Sequence, residues 1–371
     1  MPSITLTTSL ENIGQLNLVV DAPIGIIGAE GVDATATNNQ LYHVESTSDG
    51  DIFGEGNIAD AIDILQRYGC KNLYVIQVAE GVDTAATVTN IIGADNAGVK
   101  TGLELFKETY TKYREKIDFL LVPYVLTDTL VASAISLAVN QNALYFADFP
   151  LGTSVATAQT TRDTDVGLGT KSDHLVPCMP QVYNGAVQES LAVHSVGAIA
   201  QRTQEEGFGF APTGQILIGV TSVEPRITLD YDAGSSNNTL VGEGILSVNV
   251  AEDNYILWGN KNASKIAGED TDIDGYISAI RVSHVMSRLL LDRLKRHVGE
   301  PITESNILII ETDLTALIHE KLSEGQILYN SYVKYNSALS DIPNRVLHFD
   351  AVLYHTLSPE AITLNLSVSG V

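Results

Sequence analysis

NYILWGNKNASKIAGEDTDIDGYISAIRVSHVMSRLLLDRLKRHVGEPI, residues Asn254–Ile302, is the stretch from which the rest of the chain is best read. It joins a Trp-Gly-Asn-Lys turn (Trp258 to Lys261), an acidic loop, a Tyr-Ile-Ser helix start and one long basic helix over about 277–298. Within that helix Arg281, Arg288 and Lys295 recur every seven residues and so stack along one face. Val282, Met286, Leu289 and Leu290 form the adjoining apolar stripe. Two roles fit the cations. They form a solvated face, partly paired through Arg288 and Asp292 at i, i+4, or they meet acidic surfaces of neighbouring subunits. The acidic loop, Asp270-Thr-Asp272-Ile-Asp274-Gly275, matches the first half of a calcium-binding loop. The closing bidentate glutamate is replaced by Arg281, so the bland reading is an acidic loop that complements the helix dipole. Trp258 is the only tryptophan, and a packing role between domains fits it better than ligand stacking.

Upstream of this stretch the pattern alternates strand and helix. Apolar runs bounded by polar residues fall at 72–78, 117–124, 143–147 and 215–220. Such unalternating runs suit strands buried on both faces of a parallel sheet. Helical periods fall between them at 57–68, 100–116, 127–140 and 185–204. The expected class is therefore α/β for residues 22–244. Residues 222–249 are rich in turn formers and read as a hinge. Downstream, the spacing predicts a strand over 306–311, a helix over Asp313 to Glu324 capped by Thr312 or Asp313, and strands over 327–335, 346–354 and 361–368. Ser3-Ile-Thr-Leu-Thr7 alternates like a strand, with no hairpin partner nearby.

The chain has 371 residues, 44% hydrophobic, with a formal net charge of −24. That charge argues against a general nucleic-acid binder, which carries a basic face, and keeps free subunits soluble. Two cysteines, Cys70 and Cys178, do not make a disulfide framework. The start lacks the basic and apolar regions of a secretory signal, and no apolar run reaches the roughly 20 residues that span a bilayer. Synthesis in a cytoplasm is expected.

Catalytic motifs fail one by one. Gly167-Leu-Gly-Thr-Lys-Ser172 lacks the glycine directly before lysine that a phosphate loop needs, and reads as a surface loop. Gly25-Ile-Ile-Gly-Ala-Glu-Gly31 reads as a strand and turn. The eight histidines show no zinc spacing, and no GxSxG elbow occurs. No catalytic, cofactor or metal residue is expected.

Several blocks, in order, resemble contractile tail sheath proteins: Asp21-Ala-Pro-Ile-Gly-Ile-Ile-Gly28, ADAIDILQRYGCKNLYVIQV (59–78), AATVTNIIGADNAGVKT (85–101), Leu121-Val-Pro-Tyr124, ALYFADFP (143–150), the Trp258 and Tyr276 blocks, and HTLSPEAITLNL (355–366). Asn262 stands where many sheaths have threonine, and Ala279-Ile280-Arg281 replaces the commoner Val-Arg-Arg.

The resemblance implies an inner α+β domain built from residues 245–357 plus the N-terminal arm 1–21. An α/β outer domain, 22–244, is inserted, and 358–371 form a C-terminal arm. It implies that Ile4 and Leu6, and Ile362, Leu364, Leu366 and Val368, lie on strands exchanged between subunits. It places the tube-facing helix at Asp313, Leu317, Glu320, Lys321 and Glu324. The implied partners are further copies in a helical polymer, a tail tube protein, and baseplate and tail terminator proteins, without direct nucleic-acid contact or membrane insertion. The implied particle is a phage tail or an R-type pyocin-like bacteriocin. The competing reading is an α/β enzyme or ligand-binding protein using the sheet within residues 22–220. Because Arg281 removes the closing ligand, titration calorimetry is expected to show no calcium site at the acidic loop with Kd at or below ~10 micromolar; a tighter site overturns this.

Overall fold

The computed structural model describes residues 22–230, 232, 234–265, 275–343 and 346–355. The two arm strands and the acidic loop at 270–274 lie outside them. At the centre is β1 (Ile24–Ala29), whose IGIIGA leaves only Ala29 partly exposed. It pairs in parallel with β3 (Leu73–Val78) on one side and β6 (Phe119–Leu121) on the other. β7 (Leu144–Asp148) and β8 (Leu175–Cys178) continue the parallel run, and β2 (Leu41–Val44) closes the far edge antiparallel, giving the order β2-β3-β1-β6-β7-β8. Unalternating apolar runs are what such a sheet requires, because each face has its own core. Ile24, Ile26, Leu73 and Val75 enter one apolar cluster, while Ile27, Tyr74 and Ile76 enter the other.

α1 (Thr47–Gly50), α2 (Asn57–Arg67) and α7 (Leu191–Glu206) lie on the first side. α3 (Thr84–Ile92), α4 (Thr109–Tyr113), α5 (Asp128–Gln141) and α6 (Val155–Arg162) lie on the second. A minor hairpin joins β4 (Asp95–Asn96) to β5 (Val99–Lys100). A three-stranded sheet, β9 (Gln181–Asn184), β10 (Val187–Glu189) and β11 (Ser222–Glu224), follows the main one. Then come α8 (Ser236–Gly242) and a hairpin of β12 (Ser247–Ala251) and β13 (Asn254–Trp258).

The last part holds two long helices, α9 (Ile277–Lys295) and α10 (Glu304–Ser323), and an antiparallel ribbon of β14 (Tyr332–Tyr335) and β15 (Phe349–Val352). α9 belongs to two cores. Ile277 and Ile280 join the cluster that contains Ile24 and Phe119, whereas Val282, Val285 and Met286 pack with Ile310, Leu314, Ile318 and Val333.

Several expectations are corrected. Residues 306–311 are not a strand but the first turns of α10. Thr303, rather than Thr312 or Asp313, caps the helix, its side chain accepting from the Asn306 amide at 3.2 Å. The run Asn306–Ile310 looked like a strand because its β-branched residues hide the helical spacing of Ile310, Leu314, Leu317 and Ile318, all buried. Residues 215–220 form no strand. Gly214 and Gly219 turn the chain at φ +89° and +84°, leaving one bridge from Ile216 to Ile256. The sheet ends instead on β8, whose Pro177 is tolerated at an edge. The helix expected over 100–116 is a 3-10 segment (Gly102–Glu108) followed by α4, and α7 starts only after its Ser190 cap because 187–189 pair with β9. The 167–172 segment is no surface loop at its start. Gly167, Leu168 and Gly169 are buried, and Arg162 donates to the carbonyls of Leu168, Glu243 and Ala263.

Helices α2 and α7 meet where α7 has no side chain. A Cβ on Gly197 would stand 2.4 Å from the Tyr68 ring. Gly197→Ala is therefore expected to destabilise by ~1–3 kcal/mol through overpacking, read as a lower urea midpoint with unchanged slope; an unchanged midpoint would overturn this packing argument.

Candidate assembly surfaces

The Trp-Gly-Asn-Lys turn starts α9. Asn260 accepts the Ile277 amide on its carbonyl at 2.8 Å and the Ser278 amide on its side chain at 3.1 Å, and donates to the Ser278 hydroxyl at 2.9 Å. Three polar contacts from one asparagine satisfy donors that a helix start leaves open. Gly259, at φ +117°, lets the chain turn beside Val241. Trp258 donates its indole N–H to Asn238 of α8 at 2.7 Å, and Lys265 lies 4.9 Å above the Tyr276 ring.

The three cations of the α9 face are engaged within their own chain, and of them Lys295 stays exposed to solvent. Arg281 is buried at 4% exposure; it donates to the Thr203 hydroxyl of α7 at 2.7 Å, and its guanidinium stands 5.0 Å from the Phe119 ring. Burial pushes its pKa down to about 10, against the raising effect of Asp118. Arg288 pairs with Asp118 rather than with Asp292, and Lys295 takes Asp292 at 2.6 Å and the Tyr110 hydroxyl at 2.7 Å. Seven-residue spacing gave the shared face correctly; the partners of Arg281 and Arg288 come from α7 and from Asp118 at the start of β6, which no local pattern encodes.

The second half of α9 is clamped to α10. Arg293 reaches Asp313 at 3.0 Å and Glu320 at 3.5 Å, and His297 reaches Asp313 at 3.2 Å and Glu300 at 3.3 Å. Lys321 lies 3.0 Å from Glu320 and 2.9 Å from Glu324. Of the five residues expected on the tube-facing helix, Leu317 and Lys321 are thus buried, and Asp313, Glu320 and Glu324 are half-buried in ion pairs. What α10 turns outward is Glu304 and Ser305 in its first turn and then Leu308, Ile309, Thr312, Ala316, His319 and Ser323, a stripe of helical period that carries no carboxylate or ammonium beyond that first turn. Leu308 is 64% exposed and Ile309 51%. Local sequence hides this stripe, because 306–311 read as a strand rather than as the first turns of a helix. Beyond α10, Tyr329, Tyr332, Leu339, Ile342 and Tyr354 are exposed on or beside the β14–β15 ribbon. A groove of ≈ 830 Å³ lies between that ribbon and the α9–α10 corner, lined by Leu294, Val298, Ile302, Ile310, Leu347 and Phe349 among others.

An enzyme of this layout would bind ligand at the carboxyl ends of β1 and β6, where the strand order reverses. Here the loop that leaves β1 is tied back to the segment preceding α2. The loop after β1 pairs Val32 with Glu55, and a Cβ on Gly31 would lie 2.5 Å from the Phe53 carbonyl. The most enzyme-like polar group nearby is structural. Arg67 binds Glu189 at 2.8 Å, Glu189 binds His194 at 2.8 Å, and His194 meets the Tyr68 hydroxyl at 2.8 Å. Asp148, pushed up to about 7 chiefly by burial, accepts from the Ser190 hydroxyl and the Ala192 amide at the start of α7. Among the described residues no cluster of metal-ligating side chains occurs, and no helix is long and apolar enough to cross a membrane.

The clamp sets a pH dependence. The hydrogen bond to Asp313 holds the His297 pKa above its usual value, and Asp313 is held below its own. A raised histidine contributes stability fully present below its unfolded pKa and lost as pH rises through its folded one. Buried His284 is pushed down to about 3, and it works in the opposite sense, costing stability as pH falls below the unfolded value. The expected outcome is therefore a difference. The loss of melting temperature in His297→Gln is larger at pH 5.5 than at pH 8.5. An equal loss at both would overturn the clamp.

No protein-family profile matches the chain. In sequence it is 28% identical over 257 residues to the tail sheath protein of Burkholderia phage BcepMu; the match covers 66% of this chain and 54% of that protein, so the chain spans about half the length of the curated relative. A shorter likeness, 27% over 131 residues, is to subunit M of the NAD(P)H-quinone oxidoreductase of Gloeothece citriformis, covering 35% of this chain and 84% of that protein. Solved structures match throughout. A chain of the anti-feeding prophage baseplate aligns with TM-score 0.72 at 14% identity, over 100% of this chain and 99% of the other. The contracted PVC sheath of an extracellular contractile injection system gives 0.71 at 11%, over 99% and 97%. The sheath tail protein of Desulfitobacterium hafniense gives 0.61 at 8%, over 96% and 100%. In sequence the chain is similar to a phage tail sheath protein, and in fold to chains of solved contractile sheath assemblies.

Proposed function

We propose that this protein is the structural subunit of a contractile tail sheath. It polymerises into a helical tube of stacked rings around a tail tube and contracts to drive that tube through a target envelope. The observation that carries the reading is the uncharged outward stripe of α10 beside the β14–β15 ribbon. A chain with net charge −24 spends the cations of α9 on its own carboxylates, yet keeps the outward stripe of α10 from Leu308 onward free of carboxylate and ammonium. Such faces mark sites of protein contact. Two strands alone are marginal and leave edges open to further strands.

In this proposal residues 245–357 with the arm 1–21 form the inner domain and 22–244 the outer one. Residues 358–371 form the C-terminal arm. Ile4, Leu6, Ile362, Leu364, Leu366 and Val368 add strands to neighbouring subunits by β-augmentation. Contacts of that kind are heterologous and do not close, so they propagate a helix. Energy stored in a bistable packing at assembly is released on triggering, with no nucleotide consumed. α10 faces the tube, with Leu308, Ile309, Thr312 and Ala316 as its contact surface, and Asp313, Glu320, Lys321 and Glu324 holding it to its own subunit. Baseplate and terminator proteins bound the polymer in a phage tail or bacteriocin particle.

Negative-stain microscopy of the purified protein is expected to show tubes; discrete particles at all concentrations favour the enzyme or ligand-binding reading. Deletion of residues 360–371 is expected to leave a folded monomer that forms no tubes. Retained tube formation, or a monomer that melts on deletion, would count against exchanged arms.

A further inference from the structure

The pentapeptide Ala-Glu-Gly-Val-Asp occurs twice, at residues 29–33 and 79–83. The two copies leave β1 and β3, neighbouring parallel strands with Ala29 opposite Val78, so they stand side by side at the carboxyl end of the sheet. The same device holds each. A Cβ on Gly31 would lie 2.5 Å from the Phe53 carbonyl oxygen, and one on Gly81 would lie 2.4 Å from the Thr87 amide nitrogen. Each glycine is thus pressed onto the backbone of the segment that follows. Val32 exchanges both backbone hydrogen bonds with Glu55, at 2.8 and 2.9 Å, and Asp83 accepts the Ala86 amide at 2.7 Å as the cap of α3. With the glycines held inward the valines stand out, Val32 at 66% exposure and Val82 at 100%. Around them Glu30, Asp33, Glu55, Glu80 and Asp83 have no cationic partner among the described residues. One exposed valine needs no explanation; two on fixed, adjacent loops, each flanked by acids, make a surface.

The opposite end of the sheet has the complementary character. A groove of ≈ 240 Å³ runs between α4 and α9 beneath the amino ends of the central strands. It is smaller than the ~300–1,000 Å³ of small-molecule sites. Val285, Leu289 and Leu291 of α9 give it an apolar wall, and Leu291 is 52% exposed. Its carboxylates are engaged within the fold. Asp118 takes Arg288, Asp292 takes Lys295, and Glu115 accepts from the Asn72 side-chain amide at 2.6 Å and the Tyr74 hydroxyl at 3.0 Å. Arg114 and Lys116, which also line it, have no carboxylate partner among the described residues. In a chain of net charge −24, such a groove attracts what most of the surface repels. We infer that the paired loops of one copy seat in this groove on a second copy, Val82 against Leu289 and Leu291, with Glu30 and Glu80 facing Arg114 and Lys116. Loops and groove lie at opposite ends of one sheet, so the contact is heterologous and runs head to tail instead of closing as a two-fold pair. Such a contact presupposes a chain that assembles with itself, the reading proposed above, and gives that assembly a direction.

Val82→Cys with Leu291→Cys in the full chain, treated with a short bis-maleimide, is expected to give a ladder of linked dimers and larger species. The strand β1 alone spans ~20 Å, so a short bridge does not join these positions within one chain, and the native Cys70 and Cys178 are buried. Val82→Cys with Val187→Cys, on the exposed edge strand β10, serves as the control. In the Val82→Cys, Leu291→Cys background, Glu30→Lys combined with Glu80→Lys is expected to cut the ladder at least tenfold. Arg114→Glu combined with Lys116→Glu is expected to do the same. An equimolar mixture of the two reversed proteins is expected to restore it, because the basic loops of one then meet the acidic groove of the other; this recovery also shows that both variants are folded. A ladder no stronger than the control, one unchanged by either reversal, or a mixture that stays unlinked would overturn the contact. The two readings fail separately. Tubes without the link from residue 82 to 291 overturn the contact and leave assembly standing, whereas the link without tubes upholds the contact and counts against the tube.

Discussion

Everything in this molecule hangs on one buried guanidinium. Arg281 stands at the point where α9 leaves the α/β layer, 5.0 Å from the Phe119 ring and bonded to Thr203 of α7. It sits beside Asp118, which also takes Arg288 one helical heptad further on. A charge at 4% exposure is expensive to desolvate, and is tolerated only where hydrogen bonds and a counter-charge are in place. Removing Asp118 would leave two cations uncompensated at once. This polar knot fixes the rotation of α9 about its own axis. With the rotation fixed, the helix must present Val282, Val285 and Met286 to one side, and α10 packs there.

α9 is consequently a rigid rod shared by two cores. Its 19 residues span ~28 Å. The asparagine-capped start is embedded with the central sheet, and the far end is clamped to α10 by Arg293 and His297. Forces applied to α10 or to the β14–β15 ribbon are delivered to the sheet through this helix rather than through a flexible joint. For the proposed sheath subunit, which would move as a unit while its neighbours shift, that continuity is the useful property.

The charge distribution complements this. The interior cations of α9 and α10 are matched to carboxylates of the same chain, and the excess acidity is left to the surface. Mutual repulsion between copies is then general, and approach is favoured where charge is absent, along Leu308, Ile309, Thr312 and Ala316. Specificity arises from where repulsion is lacking as much as from new attraction.

Local sequence determined much of the α/β layer. The apolar runs at 72–78, 117–124 and 143–147 became β3, β6 and β7, and the helical periods at 57–68 and 127–140 became α2 and α5, because burial on both faces or on one stripe leaves a periodic mark. The same holds for α9, whose start and heptad of cations were legible. The sequence failed where two structures share one local pattern. The run Asn306–Ile310 is apolar and β-branched, and only the Thr303 cap and the packing of Ile310 against α9 make it helical. β8 was invisible because four residues with a proline carry no periodicity, and its place is set by pairing with β7. The roles of Arg281 and Arg288 were decided by tertiary structure alone. Spacing places side chains on a common face, but whether that face meets water, a neighbour or Asp118 depends on contacts more than 150 residues away in sequence, which local pattern cannot encode.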